Sequence, residues 1–169
     1  MIEIPHQFAS AGGDELQLSG KALLDLTGAV LSKGMSIRFK ARGWSMSPFI
    51  LDGDVVTVAK YKNCKPRMGD VVAFKRPGDG HLVMHRIVAR YGNKYLIVGD
   101  NISNKPDGAI SLEDMLGRIV SVHRASRPIW LGLGPERFLI AWLSKRNLLI
   151  PVLNLISSFR GQFLGVRLK

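Results

Sequence analysis

One serine in the sequence lies in a setting that could support nucleophilic chemistry. Ser45 belongs to the segment Gly-Trp-Ser-Met-Ser-Pro at 43–48, which directly follows a β-branched run. A serine attacks a carbonyl only when a base takes its proton, so it needs an accessible position and a basic partner. A glycine-flanked turn after a strand would give Ser45 that access. The same composition is also typical of an ordinary turn.

His85 is the histidine best suited to act as the base. It lies in the apolar run 83–88, and an imidazole is a ready proton acceptor near neutral pH. A hydrogen-bonded structural role in a strand is the alternative. His81 would share a strand face with His85 but lies nearer a glycine-rich turn, so we rank it lower. His6 and His123 belong to no cluster with cysteine or carboxylate partners at ligand spacing, so we expect no metal and no cofactor.

A polar loop at 99–108 supplies two carboxylates. Asp100 and Asp107 could each orient an imidazole and stabilise its protonated form, although turn formation is an alternative role for both. Asp100 also belongs to a repeated Gly-Asp dipeptide, which occurs earlier at 53–54 and 69–70, each time before two valines. Glycine with aspartate predicts tight turns at all three places.

The elements that must position these residues are predominantly strands. Short β-branched runs, separated by Gly, Pro, Asn and Asp, predict a mainly β sheet or barrel. The predicted strands are 36–41, 54–59, 70–74, 82–89, 94–98 and 117–122. One helix is expected before them at about 19–33, with Ser19 as its N-cap and Gly34 after its last turn. Residues 1–14 are expected to be a loose start.

Charge and hydropathy set the C-terminal segment apart. The 169-residue chain carries a net charge of +11, with 16 Lys+Arg against 12 Asp+Glu over residues 1–122 and 8 against 1 over residues 123–169. The latter segment is also rich in Leu, Ile, Phe and Trp, a combination that favours a membrane surface over a nucleic acid. We predict two short amphipathic helices, 136–150 and 151–160, which either dock on the sheet or lie in a lipid interface.

Composition excludes several classes of protein. A hydrophobic content of 46% excludes a disordered chain, and the single cysteine, Cys64, excludes internal disulfides and a cysteine-based zinc site. Neither a signal peptide nor a run of about 20 apolar residues stands out. We therefore expect peripheral membrane association through residues 128–169, with a cytoplasmic location as the alternative.

The order of the motifs is more specific than any one of them. It resembles the signal peptidase I family over roughly residues 36–122, and specifically its archaeal and endoplasmic-reticulum-like branch, which has a histidine where the bacterial form has a lysine. The motifs are Gly-x-Ser-Met-x-Pro at 43–48, Gly-Asp-x-Val at 53–56, Gly-Asp-Val-Val-x-Phe at 69–74, His-Arg-Ile-Val at 85–88, Gly-Asp-Asn…Asp at 99–107 and Gly-Arg-Ile-Val at 117–120.

The resemblance implies a LexA/signal-peptidase-like β-barrel and a catalytic role for three residues. Ser45 would be the nucleophile, His85 the general base and Asp107 its partner, with Asp100 as a possible supporting residue. The implied activity is that of a serine endopeptidase that cleaves an extended, signal-peptide-like segment after small residues. The cleft would be lined or supported by Gly43, Trp44 and Met46. Core packing is the alternative role for Trp44 and Met46.

We predict three regions: an extension with a helix at 1–35, a signal-peptidase-like catalytic β domain at 36–122 and a basic, apolar helical segment at 123–169. Three departures from the family pattern bear on the substrate. Residues 15–35 carry Lys21, Asp25 and Lys33 where family members usually have a membrane anchor. Gly43 replaces a hydroxyl residue that helps to bind the oxyanion in many members, and the C-terminal segment lies outside the pattern.

Other functions fit parts of the sequence. The chain could be a catalytically weak relative that binds a peptide or a membrane surface through the same cleft. A LexA-like self-cleaving domain would need a lysine base, for which Lys75 is poorly placed, and no helix-turn-helix precedes the domain. A nucleic-acid-binding module is not favoured, because the strands lack the pattern of aromatic and basic residues on which bases stack.

Overall fold

The computed structural model describes residues 20–101 and 107–164, with side chains as far as residue 158. Ser19 and residues 1–14 lie outside the described ranges. A helix, eight strands and two further helices follow in chain order. They are α1 Gly20–Ser32, β1 Ile37–Lys40, β2 Val55–Ala59, β3 Val71–Lys75, β4 Leu82–Tyr91, β5 Lys94–Val98, β6 Ala109–Ser111, β7 Met115–Arg124, β8 Arg127–Ile129, α2 Arg137–Lys145 and α3 Leu149–Leu164.

The strands form one antiparallel, curled half-barrel, which confirms the mainly β prediction. Their order is β1-β2-β7-β3-β4-β5-β6, with β8 paired to β7. Among the described residues, β1 pairs with β2, and β5 pairs with β4 from Arg86 onward. The first half of β4 therefore pairs with β3 on one side and lies beyond the reach of β5 on the other.

Two strands, β6 and β8, are absent from the sequence prediction. β8 is joined to β7 by Ala125 and Ser126, which have φ angles of +46° and +65°. A two-residue hairpin turn of this kind usually contains Gly, Asn or Asp, so Ala-Ser gives no hairpin pattern in the sequence. The sheet consequently extends past residue 122 into the segment expected to be helical.

The two larger core clusters lie on opposite faces of the sheet. β3 contributes to both: Val71 and Ala73 pack in the cluster that includes Leu31 of α1, whereas Val72 and Phe74 pack in the other. Side chains of a strand alternate between faces, so a strand covered on both sides is apolar throughout. β3 therefore lies at the centre of the fold.

The Gly-Asp repeats are turns with an additional structural role. Asp54 accepts two hydrogen bonds from the Arg124 guanidinium at 2.9 and 2.8 Å, and one from the Leu51 N–H. Burial would raise the pKa of Asp54, but these donors hold that pKa below its usual value. Asp70 accepts a hydrogen bond from the Tyr61 hydroxyl and lies 3.7 Å from Arg137 Nε. Both aspartates thus join turns to residues distant in the chain.

The C-terminal helices divide earlier than the sequence suggests. α2 ends before Asn147, whose φ of +58° allows the Leu148 N–H to bond back to the Leu143 carbonyl. Pro151 lies inside the first turn of α3, where a missing N–H disrupts no intrahelical bond. Proline therefore does not mark the helix boundary in this segment.

α2 packs against the sheet, and Ile140 forms a small cluster with Phe49 and Leu149. Within the described ranges, no single helix is both long and apolar enough to cross a membrane. The ranges Arg137–Lys145 and Leu149–Ser158 meet the length and composition criteria only together, and they are bent by 114°.

Candidate active site

Ser45 lies in a tight turn between β1 and β2. Gly43 has a φ of +94°, and its N–H donates to Asp52 Oδ1 at 2.8 Å. Backbone hydrogen bonds from Ser47 N–H to the Trp44 carbonyl, and from Phe49 N–H to the Met46 carbonyl, tighten the turn. The Ser47–Pro48 peptide bond is cis. These contacts fix the backbone on both sides of Ser45, whose side chain is half-buried.

A hydrogen bond joins this turn to the loop that follows β5. The Asn101 N–H donates to the Ser45 carbonyl oxygen at 2.8 Å. Further along the same loop, the Asp107 N–H donates to the Ile97 carbonyl at 3.1 Å. Both ends of the polar loop are therefore attached to fixed structure, one beside Ser45 and the other beside β5.

His85 and Asp107 form a direct contact. The Nδ1 atom of His85 is hydrogen bonded to Oδ2 of Asp107, and the two side chains are only 4% and 9% exposed. His85 lies on the half of β4 that β5 does not cover. Because one ring nitrogen is engaged by a carboxylate, the other nitrogen, Nε2, is the one that can exchange a proton with a neighbour.

Ser45 and His85 line the same cleft, which has a volume of about 280 Å³. Its walls come from α1, β1, the Ser45 turn and the β3–β4 hairpin. The lining residues are Leu23, Phe39, Lys40, Ala41, Arg42, Gly43, Ser45, Met46, Ile50, Arg76, Leu82, Val83, Met84 and His85. The structure thus brings a hydroxyl, an imidazole and its carboxylate partner to one site.

Of the three turn residues expected to line or support the cleft, Gly43 and Met46 are among its lining residues. Met46 is also buried in the core cluster beneath α1, so packing and cleft formation coincide at this residue. Trp44 is 65% exposed and is not among the lining residues.

Asp100 has a different partner from Asp107. It forms a buried, two-bond ion pair with Arg86, at 2.8 Å from Nε and 2.7 Å from Nη2. Burial raises the pKa of Asp100, and the Arg86 charge opposes that rise. Asp100 therefore lies near the site as part of a structural ion pair.

Arg86 is the important residue of this region that the sequence analysis did not single out. Its side chain is completely buried and also donates to the Gly69 and Gly132 carbonyls, at 2.9 and 2.8 Å. Its guanidinium lies 5.5 Å from the centre of the Phe49 ring. An arginine inside an apolar strand could have indicated this role, since a buried cation requires a carboxylate partner.

Neither His81 nor His123 is among the residues that line this cleft. His81 is exposed in the β3–β4 turn, where its N–H bonds to Asp79. His123 lies half-buried on β7, and His6 falls outside the described ranges. Among the residues that the structure describes, no cluster of His, Cys, Asp and Glu could hold a metal ion.

Comparison with protein families agrees with this fold. Residues 5–120 match the Peptidase S24-like family. The chain belongs to this family. No curated protein sequence matches it significantly. Membership of the S24-like family indicates serine peptidase or LexA-like self-cleaving activity, on a fold that LexA-like and signal peptidase domains share.

Proposed function

We propose that this S24-like protein is a serine endopeptidase in which Ser45, His85 and Asp107 act as one catalytic unit. The observation that carries the proposal is the buried contact between His85 Nδ1 and Asp107, beside a cleft that Ser45 also lines. A histidine that served only packing would not need a carboxylate on one nitrogen and a cleft beside it.

The proposed reaction follows from this arrangement. His85 donates its Nδ1–H to Asp107, so that Nε2 takes the proton of Ser45 Oγ as Oγ attacks the substrate carbonyl. The protonated His85 then gives the proton to the leaving amine, and an ester of Ser45 remains. Water, deprotonated by His85, hydrolyses that ester and restores Ser45. Asp107 stays ionised throughout and stabilises the imidazolium.

The oxyanion of the tetrahedral intermediate would be bound by backbone N–H groups of the Ser45 turn. Gly43 offers no hydroxyl at the position that supplies one in many signal peptidases. Loss of one oxyanion donor typically slows an enzyme by about 100- to 1000-fold. We therefore expect a slow peptidase, for which position and local concentration of the substrate matter.

An extended peptide suits the cleft. Within the described ranges, the half of β4 that β5 does not cover borders it, and exposed strand edges bind extended peptides through backbone hydrogen bonds. Apolar lining side chains such as Phe39 and Leu82 favour small or apolar substrate residues. We propose signal-peptide-like segments cleaved after small residues as the substrate, because the motif order and the histidine base resemble that branch of signal peptidases.

Self-cleavage is the second candidate, favoured by the S24-like match. A LexA-like domain uses a lysine base, and Lys75 is exposed at the end of β3 and is not among the cleft residues. The base for self-cleavage would therefore also be His85. A catalytically weak, peptide-binding relative is the remaining alternative, motivated by Gly43.

Mapping of protein N-termini tests the proposal. Host cells that express the wild-type chain, Ser45→Ala or Ser47→Ala would be compared by mass spectrometry, with the intact mass of the purified chain recorded in parallel. Ser47 is a matched control because it lies two residues away in the same turn. We expect new N-termini after small residues with wild type and Ser47→Ala only.

The outcomes separate the candidates. N-termini from within the chain itself, dependent on Ser45, would identify self-cleavage. Identical maps and intact masses for wild type and Ser45→Ala, with both proteins folded and abundant, would contradict peptidase activity and favour the binding role.

A further inference from the structure

Exposed apolar side chains are concentrated at the C-terminal end of the described chain. Eight of the fifteen large hydrophobic residues that are exposed in the described ranges lie between 130 and 156. These eight residues, which we call the C-terminal apolar surface, are Trp130, Leu131, Phe138, Leu139, Trp142, Leu148, Leu155 and Ile156. Such a concentration indicates an interaction surface, because exposed apolar residues are normally scattered.

This surface is distinct from the face by which α2 docks on the sheet. Ile140, Ala141 and Ser144 are buried, whereas Leu139 is 59% exposed and Trp142 43% exposed. α2 therefore has one apolar side that faces the protein and another that faces solvent.

The charged residues of the segment 123–169 are almost all basic. Glu136 is the only acidic residue in 123–169, and its carboxylate accepts hydrogen bonds from the Gly132 and Gly134 N–H groups. Lys145 and Arg146, by contrast, are exposed at the end of α2. The Arg146 guanidinium lies 4.6 Å from the centre of the Trp142 ring. Basic residues beside exposed tryptophan and leucine match the boundary between anionic headgroups and acyl chains.

The shape of the segment favours lying on a membrane rather than crossing it. α2 and the described part of α3 are bent by 114° at the break after Lys145. Leu155 and Ile156, on α3, are both more than half exposed. Two short helices that meet at a sharp bend and expose apolar residues are suited to the bilayer interface. There, the backbone groups between the two helices remain in contact with water.

We propose that the C-terminal apolar surface docks on a bilayer that contains anionic lipids. Trp142, Leu139 and Leu155 would enter the boundary between headgroups and acyl chains, and Lys145 and Arg146 would contact the headgroups. The segment is attached firmly to the catalytic region: Arg86 bonds to the Gly132 carbonyl. Docking requires no peptidase activity, so Ser45→Ala should bind vesicles as well as wild type does.

Flotation with vesicles tests this inference with the full-length chain. We expect the protein to float with phosphatidylcholine vesicles that contain about 30 mol% phosphatidylglycerol, and at least about tenfold less with phosphatidylcholine alone. The double variant Leu139→Asp/Leu155→Asp should lose binding at least about tenfold, because two exposed leucines no longer enter the apolar layer. Leu112→Asp is the matched control: Leu112 is 51% exposed in the β6–β7 turn, outside the surface, and its substitution should leave binding unchanged.

A charge-reversal variant and an optical measurement sharpen the test. Lys145→Glu/Arg146→Glu should remove the preference for anionic vesicles. In a Trp44→Phe chain, which keeps Trp130 and Trp142, the fluorescence should shift to the blue when anionic vesicles are added. Circular dichroism would confirm that each variant is folded.

Three results would overturn the inference. The first is absence of wild-type protein from the floated fraction with both vesicle types. The second is equal flotation of folded Leu139→Asp/Leu155→Asp and wild type. The third is a wild-type chain that self-associates in solution and becomes monomeric on the leucine substitutions, which would show that a second copy covers the surface.

Discussion

The cleft region and the C-terminal helices use their basic residues in opposite ways. Around the cleft, Arg86 is fully buried and Arg124 partly buried, and each forms a two-bond ion pair with a Gly-Asp aspartate. On the helices, Lys145 and Arg146 are exposed beside aromatic rings. The basic residues behind the high net charge therefore serve different purposes in the two regions. The ion-paired arginines hold the site together, whereas the side chains of Lys145 and Arg146 are exposed to solvent.

Removal of the base should have the largest effect in the cleft region. His85→Gln keeps the size of the side chain but cannot take the Ser45 proton, so we expect a loss of cleavage rate of about 100- to 10,000-fold. The measurement is the rate of cleavage of a peptide identified by N-terminal mapping. His81→Gln, in the exposed turn of the same hairpin, should keep the wild-type rate. Equal rates for the two variants would show that His85 is not the base.

The two uses of arginine predict different costs for the same substitution. Arg86→Met leaves Asp100 buried without a cation, which should lower the free energy of unfolding by about 3–5 kcal/mol. Arg146→Met removes an exposed charge and should change the free energy of unfolding by less than about 0.5 kcal/mol. Urea denaturation of both variants measures the difference. Similar costs would mean that the contrast between buried and exposed cations has no energetic basis.

The junction between the two regions can be tested with two glycines of nearly equal φ. Gly132 has a φ of +95°, and a Cβ there would lie 2.8 Å from Phe49 Cβ. Gly43 has a φ of +94°, but a Cβ there would meet nothing within 4 Å. Gly132→Ala should therefore cost about 2–4 kcal/mol, through backbone strain and overpacking, against about 1–2 kcal/mol for Gly43→Ala.

Thermal unfolding of the two alanine variants provides the measurement. If Gly132→Ala were as stable as Gly43→Ala, the segment around Gly132 would not be packed tightly against Phe49 of the Ser45 turn.

The smallest expected effect concerns Tyr61, a half-buried tyrosine that follows β2. Burial, and then the charge of Asp70, raises the pKa of Tyr61. The pKa of Tyr61 is higher in the folded chain than in the unfolded chain. The contribution of neutral Tyr61 to stability is therefore complete below pH about 10 and is lost as the pH rises above that value. Tyr61→Phe should cost about 1 kcal/mol at neutral pH, through loss of the hydrogen bond to Asp70, and should make stability less sensitive to alkaline pH. Urea titrations at neutral and alkaline pH, with the exposed Tyr91→Phe as control, measure both effects.

The fold was largely predictable from local patterns, because β-branched runs and Gly-Asp turns act within a few residues. All six predicted strands are present, although β4 and β7 extend further than expected. β8 was missed because Ala125 and Ser126 adopt positive φ without the usual residue types. The break between α2 and α3 was misplaced because Pro151 fits within a first helical turn.

Candidate site residues could be proposed from the sequence, but their supporting contacts could not. Motif order is the basis for proposing Ser45, His85 and Asp107. Asp107 lies 22 residues after His85 in the chain, and the loop after β5 brings the two side chains together. The partners of Arg86 could not be predicted, because they come from three separate turns, including Gly132, and no local pattern connects them. Long-range pairing of this kind is a property of the assembled sheet.

Nitrogen NMR of the histidine rings tests most directly whether Ser45, His85 and Asp107 act together. In chain labelled with ¹⁵N-histidine and held at a pH where the His85 ring is neutral, His85→Gln assigns the resonances. We expect the His85 proton on Nδ1, bonded to Asp107, and an Nε2 shift that changes in Ser45→Ala but not in Ser47→Ala. A proton on Nε2, or an Nε2 shift indifferent to Ser45→Ala, would contradict the proposed catalytic unit.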